Sequence, residues 1–282
     1  MKILAVCIIA IGALSAGAAS ASDLPTHKPA PVFVPPVAPV TNWGGFYIGL
    51  NGGYGWDPAN ATFNPTTYAT TAIGALGPFV VTGASPPINL SVHPQGWLGG
   101  GQIGYNWQQN SLVLGLEADV DWSGMRASTA APFFVNGTIG GDIANFTGNV
   151  GLSQSVDYFG TVRGRIGWAY DQMLLFGTGG LAWGDVNTKF NTFGIATTPG
   201  NLTTAQLAAL QVGASASNVR PGFAVGGGVE WKVAANWSVK AEYLFIDLLG
   251  SDTLAIPGGS AKAGNVPISV ARVGVNYFFG GP

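Results

Sequence analysis

A chain of 282 residues carries only 9% charged side chains and a formal net charge of −2, beside 44 glycines and 9 tryptophans. A water-exposed domain usually gives about a quarter of its residues to charge, so this surface is not built to meet water throughout, and so slight a charge excludes the electrostatic footprint of a nucleic-acid binder. Beyond the N-terminal segment, no stretch offers the roughly 20 unbroken apolar residues that a membrane helix needs.

The chain opens with Lys2, an apolar run from Ile3 to Leu14 and the small-x-small triplet Ala19-Ser20-Ala21, the order of a secretory signal peptide over residues 1–21. Cys7, the only cysteine, lies within it, so a mature chain is expected to hold neither disulfides nor thiolate metal sites. Residues 22–42 form a leader containing Pro25, Pro29, Pro31, Pro35, Pro36 and Pro39. That composition favours polyproline II and stays out of sheets, which suits a periplasmic spacer. The remaining residues, 43–282, read as one barrel domain.

Eight segments predict strands, at about 45–56, 96–107, 111–122, 156–170, 173–184, 219–232, 236–247 and 268–279. Their signal is alternation at period two, which gives a strand one polar and one apolar face. Glu117, Asp119 and Asp121 oppose Leu112, Leu114, Leu116, Val120 and Trp122. Asp157, Thr161, Arg163 and Arg165 oppose Val156, Tyr158, Val162, Ile166, Trp168 and Tyr170. Lys240 and Glu242 oppose Trp237, Val239, Tyr243 and Phe245, and Arg272 and Asn276 oppose Val273, Val275 and Tyr277. In 173–184 either Leu174 and Phe176 or Leu175 and Leu181 fit the apolar face.

The connections alternate in length. Gln108–Asn110, Asp171-Gln172 and Val233–Ala235 are tight turns, whereas 57–95, 123–155, 185–218 and 248–267 are long and rich in Gly, Thr, Asn and Pro. Short turns at one end and long loops at the other are the pattern of outer-membrane barrels, and a sheet in lipid must close because open edges strand backbone groups. The fold class is therefore all-β, an eight-stranded antiparallel up-and-down transmembrane β-barrel with a filled polar interior. An even strand number puts both termini in the periplasm. The rival, a soluble lipocalin-like barrel, would expose the Val, Ile and Tyr faces to water while burying Glu117, Asp119, Arg163 and Arg165. Trp43, Trp56, Trp97, Trp107, Trp122, Trp168, Trp183, Trp231 and Trp237 all fall near predicted strand ends, as interfacial aromatic belts require.

The start Asp23-Leu24-Pro25, the proline leader, Asn42-Trp43-Gly44-Gly45-Phe46-Tyr47-Ile48-Gly49, Gly164-Arg165-Ile166-Gly167-Trp168, Leu175-Phe176-Gly177-Thr178-Gly179-Gly180 and Ala271-Arg272-Val273-Gly274-Val275-Asn276-Tyr277 together carry a resemblance. The chain resembles the small alphaproteobacterial outer-membrane proteins of the OmpA-like porin group. The resemblance implies an eight-stranded barrel in the cell outer membrane with a structural, non-catalytic role in envelope integrity. Some relatives are credited with haemin binding or porin activity, which makes a small-solute porin or a surface haemin binder the alternative. It also implies outer-membrane lipids, lipopolysaccharide and the outer-membrane assembly machinery as partners, the last through the C-terminal strand. Such barrels usually end on an aromatic, whereas here Gly280-Gly281-Pro282 follow Phe279.

The candidate site is the lumen. Parity turns Glu117, Asp119, Arg163, Arg165, Glu230, Lys240, Glu242 and Arg272 inward, and eight strands enclose an interior that side chains just fill. A salt-bridged plug is the favoured reading. Inward Gly49, Gly53, Gly55, Gly100, Gly104 and Gly115 leave room for the other, a narrow ion path gated by exchange of these pairs. His93, beside Ser91, is the one residue placed for lipid chemistry, and a lone loop histidine provides neither a triad nor a metal set. Loop residues Phe63, Phe79, Phe133, Phe134, Phe146 and Phe193 offer a groove for haemin or fold the loops onto themselves. No catalytic residue, cofactor or metal site is expected.

Overall fold

The computed structural model describes residues 41–57, 59–63, 79–139, 142–197, 213–250, 252–256 and 259–279. Residues 1–21, expected as a signal peptide, and residues 22–40 of the expected leader lie outside them. Thirteen strands run through the described residues: β1 (Gly45–Trp56), β2 (Ala59–Phe63), β3 (Phe79–Ala84), β4 (Ile88–Val92), β5 (Gln95–Gln109), β6 (Leu112–Ile139), β7 (Asp142–Tyr170), β8 (Met173–Thr197), β9 (Gly213–Ala234), β10 (Trp237–Leu248), β11 (Asp252–Ile256), β12 (Gly259–Ala263) and β13 (Val266–Phe278). Eight of them close a ring of antiparallel neighbours in the order β6-β5-β1-β13-β10-β9-β8-β7, with β7 returning to β6. Asn110 (φ 55°) and Asp171 (φ 49°) adopt the left-handed conformation in two of the tight turns, a conformation that Asn and Asp tolerate better than most side chains.

Alternation sorts the ring as the spanning segments predict. Ile48 and Leu50 on β1, Leu114 and Leu116 on β6, Val162 and Ile166 on β7, and Val273 and Val275 on β13 are exposed on the outer wall. On β8 the ambiguity resolves in favour of Leu175 and Leu181 outside, 57% and 70% exposed, with Leu174 and Phe176 buried inside. Trp107, Trp168, Trp231 and Trp237 lie outward near the short turns. Trp56, Trp97 and Trp122 do so at the opposite end, where Trp183 lays its ring against Gly160. Trp43 departs from the expectation. It is fully buried at the short-turn mouth, edge-on to Phe278 with ring centroids 6.1 Å apart, in a cluster with Tyr47, Val113 and Leu174. The chain folds inward before β1, where Trp43 N–H donates to Gln108 Oε1 (2.6 Å) and Asn106 Nδ2 donates to Trp43 O (3.2 Å).

The regions expected as long loops are largely strand. β6 and β7 pair from Leu112↔Trp168 as far as Ile139↔Asp142, and β8 and β9 pair up to Asn191↔Gly213. Residues 57–95 supply β2–β4, and β11 and β12 form a hairpin within 248–267. Beyond the outer tryptophans the polarity of the wall reverses. Phe133, Val135, Phe146, Val150, Leu152 and Phe190 are buried together inside, whereas Arg126, Ser128 and Lys189 face out. A bulge between Val156 and Tyr158 carries this reversal on β7. It turns Val156 inward, fully buried, and leaves Asp157 exposed, opposite to the faces that uninterrupted alternation assigns them.

The interior is therefore layered. Trp43, Tyr47 and Phe278 fill the short-turn end. Charged side chains fill the middle, and Leu244, Ile246, Leu248, Val266, Ile268 and Phe159 cap them on the far side. Among single-tryptophan variants refolded into vesicles, those retaining Trp107 or Trp168 should be quenched by bromine-labelled acyl chains. One retaining only Trp43 should not, and quenching there would mean that the mouth is open to lipid.

Candidate functional site

The charged layer is assembled by register. Glu117 lies directly opposite Arg163 across β6–β7, Glu230 opposite Lys240 across β9–β10, and Glu242 opposite Arg272 across β10–β13. Directly opposed charges of unlike sign are the favourable cross-strand arrangement. Inside the closed ring these pairs also meet across the lumen. Arg163 donates from Nη2 to Glu117 Oε1 and Asp119 Oδ2, and from Nη1 to Glu242 Oε1, each at 2.7 Å. Arg272 reaches Asp121 Oδ2 (2.6 Å), Asp119 Oδ2 (3.0 Å) and Glu242 Oε2 (2.8 Å). Lys240 Nζ donates to both oxygens of Glu117 at 2.8 Å. Arg165 pairs with Glu230 at 2.7 Å and lays its guanidinium over the Phe176 ring, 4.2 Å from the centroid.

All eight residues expected in the lumen are thus brought together and buried. Alternation alone left several partners unassigned. Tyr47 donates its hydroxyl to Glu117 Oε2 (2.7 Å) and accepts from Arg165 Nη1 (3.0 Å). Thr161 links Arg163 Nε to Asp119, Ser238 and Asn276 donate to Glu230, and Gln102 donates to Asn276. Thr178 on β8 accepts from Arg163. Every strand of the ring therefore contributes a polar atom. Tyr47 shares its parity with Gly49 and Gly53, and that was the available signal.

The inward glycines do not leave a passage. A Cβ at Gly104 would lie 2.4 Å from the Tyr47 ring, one at Gly53 2.7 Å from Arg272 Cβ, and one at Gly115 2.9 Å from Arg165 Cγ. The network's large side chains occupy the space that glycine gives up.

The other candidate residues do not converge. Phe133 and Phe146 pack against each other inside the extended wall (centroids 5.5 Å), while Phe134 and Phe193 face outward, so these four do not form one groove. The Phe63 and Phe79 side chains lie outside the described residues. His93 is exposed and makes no hydrogen bond among the described residues. It lines a cavity of about 510 Å³ with Trp56, Asp57 and Ser269. Asp57, just past the end of β1, is buried with both carboxylate oxygens unpartnered. Burial, with the charge of Asp247 nearby, pushes its carboxyl up to about 7.

A family model, the outer membrane protein beta-barrel domain, matches residues 8–279. The chain belongs to this family. It is 32% identical over 279 residues to the 31 kDa outer-membrane immunogenic protein of Brucella melitensis biotype 1, covering 97% of this chain and 99% of the relative. It is 29% identical to the 22 kDa outer membrane protein of Rhizobium leguminosarum bv. viciae, covering 86% and 82% of the two chains. Among solved structures it is similar to the outer membrane protein OprG from Pseudomonas aeruginosa, with 10% identity, a TM-score of 0.40, and 83% and 97% of the two chains covered. The protein is an outer-membrane β-barrel, and its apolar wall faces lipid.

Arg163→Ala leaves Glu117, Asp119 and Glu242 clustered in the buried interior with Lys240 and Arg272 still against them. Stability should fall by about 3–5 kcal/mol, the usual cost of removing one partner from a buried pair, measured by urea titration of heat-modifiable gel mobility. Asp57 should make stability pH-dependent. A carboxyl held above its unfolded value binds its proton more tightly in the folded chain, so the stability it contributes is present in acid and lost as pH rises through about 7. The melting temperature should drop across that pH, and Asp57→Asn should flatten the drop.

Proposed function

We propose that the protein is a closed, non-catalytic structural barrel of the outer membrane. Its interior serves stability, and its contacts are made by the outer wall and the extended β-hairpins. The observation that carries this reading is the charged layer, in which Arg163, Arg165, Lys240 and Arg272 are each engaged by carboxylates and almost fully buried. Conduction needs water or a mobile ion between such groups, whereas these side chains occupy one another's coordination. Apolar layers on both sides of the network support the same reading, because an ion would have to cross Trp43 and Phe278 at one end and Leu244, Ile246 and Ile268 at the other.

The relatives named above are described as immunogenic or simply as outer-membrane proteins, which agrees with a role at the cell surface. We place both termini in the periplasm, on the side of the short turns, and the extended hairpins outside the cell. Exposed His93, with no hydrogen bond among the described residues, gives no nucleophile–base pair there for lipid hydrolysis. The inward packing of Phe133 and Phe146 removes two of the rings that a haemin groove would use.

Single-channel recording in planar bilayers tests the proposal. The refolded chain, with its folding verified by heat-modifiable mobility, should give a silent bilayer. Uniform conductance steps that shift in Arg163→Ala would replace the plug with a charge-lined pore.

A further inference from the structure

The cations of this chain are distributed very unevenly. There are 11 lysines and arginines in all. Arg163, Arg165, Lys240 and Arg272 are consumed by the lumen. Arg220 is buried and donates to Gly264 O (2.8 Å), and Lys232 is buried and donates to Asn42 O (2.7 Å). Lys2, Lys28 and the Lys262 side chain fall outside what is described. Only Arg126 and Lys189 remain, so they are the cations that the described residues present on the outer wall, and both line the same concavity of about 590 Å³.

That concavity is built on regular strands. Two adjacent rungs cross β6, β7 and β8: Arg126 opposite Ser155 opposite Asn187, and Ser128 opposite Ser153 opposite Lys189. The two cations stand at diagonal corners, with backbones about 12 Å apart (two strand spacings across and two residues along), and serine hydroxyls between them. The nearby carboxylates keep their negative charge, and Asp157 lines the same concavity, but neither Asp157 nor Asp185 makes an ion pair with these cations among the described residues. Asp157, turned outward by the β7 bulge, and Asp185 both accept from Asn187 Nδ2 (3.0 and 3.2 Å), and Asp185 also accepts from Ser217 (3.2 Å). Neither Arg126 nor Lys189 has an ion-pair or hydrogen-bond partner among the described residues.

Height on the barrel identifies the ligand. Arg126 follows Trp122 by four residues on β6, and Lys189 follows Trp183 by six on β8. The site thus lies just beyond the outer aromatic belt, in the layer where lipid headgroups begin. We propose that the outer wall of β6–β8 binds the phosphorylated headgroup of an outer-leaflet glycolipid of the lipopolysaccharide class, with Arg126 and Lys189 as the phosphate ligands and the Ser153 and Ser155 hydroxyls between them. A guanidinium, an ammonium and neutral hydroxyls form a charge-assisted donor set suited to a phosphate monoester.

The test uses the full mature chain refolded in detergent, with bisphosphorylated lipid A as the probe and bound lipid read by native mass spectrometry. Wild type should retain the lipid. The variant R126S/K189S should bind it on the order of tenfold more weakly, given what surface cations contribute to anionic-lipid binding. The charge-retaining swap R126K/K189R should recover most of the loss. Lipid A stripped of its phosphates should bind wild type as poorly as intact lipid A binds the serine variant, and excess inorganic phosphate should not displace the intact lipid. Equal retention by the serine variant, or equal binding of dephosphorylated lipid, would overturn the site. Displacement by inorganic phosphate would overturn the lipid assignment in favour of a free-anion site. Both residues are exposed and unpaired among the described residues, and unchanged heat-modifiable mobility verifies folding of each variant. Bilayer conductance reports on the lumen alone, so failure here is distinct from failure of the plug.

Discussion

Lipid on the outside is the constraint from which the rest of the structure follows. A charge on a spanning strand cannot face hydrocarbon, where an arginine costs roughly 2–4 kcal/mol at the midplane, so it must face a lumen only as wide as its own side chains. Once there it loses water and must find partners among the other strands. Arg163 shows how this is met. It engages Glu117 and Asp119 from β6 and Glu242 from β10, across the barrel in sequence and in space. The barrel is thereby held by more than its hydrogen-bonded ring, because strands that are not neighbours are tied through the middle. Glycine at inward positions makes this possible by giving volume to Tyr47, Arg272 and Arg165.

The same constraint ends where lipid ends. Beyond Trp97, Trp122 and Trp183 the inside of the wall is apolar, and polar side chains such as Arg126, Ser128 and Lys189 stand outside beside exposed Phe134, Ile143 and Phe193. A strand that continues through this boundary must exchange its two faces. On β7 one extra residue does so, because the bulge at Asp157 shifts the phase by one and places Val156, Gln154 and Leu152 inside. On β6 the irregularity between Trp122 and Met125 spans two residues, so odd positions stay inside, and the side chains themselves change, from Glu117, Asp119 and Asp121 to Met125, Phe133 and Val135. One boundary is thus crossed by two devices, a slip in register and a change in composition.

This explains what could be read in advance. The spanning segments were legible because charge, apolar alternation and tryptophan position all report the same boundary there, and the inward set from Glu117 to Arg272 followed from parity. The extensions were not legible, because 123–155 and 185–218 lack a lipid-facing stripe and their Gly, Thr and Asn content resembles that of loops. Extended parity misplaced Val156 and Asp157 because alternation cannot register an inserted residue. Trp43 was misread for a different reason. Its position near a strand end is that of a belt tryptophan, and only the inward fold of the chain before Gly45, held by Gln108 and Asn106, makes it a plug.

The distribution of cations then shows where such a protein can meet other molecules. Inside, the four cations Arg163, Arg165, Lys240 and Arg272 face the five carboxylates Glu117, Asp119, Asp121, Glu230 and Glu242, so no cation there is left for an anionic ligand without breaking a buried pair. Outside, Asn187 donates to Asp157 and Asp185, and Arg126 and Lys189 have no ion-pair partner among the described residues. A guanidinium in the lumen that released its carboxylates for a passing anion would leave them unpaired in a low dielectric. Arg126 and Lys189 give up only water. Binding of an anion therefore costs less on the wall than in the lumen, where it would break buried pairs, and that difference is what directs the proposed contacts to the outer surface.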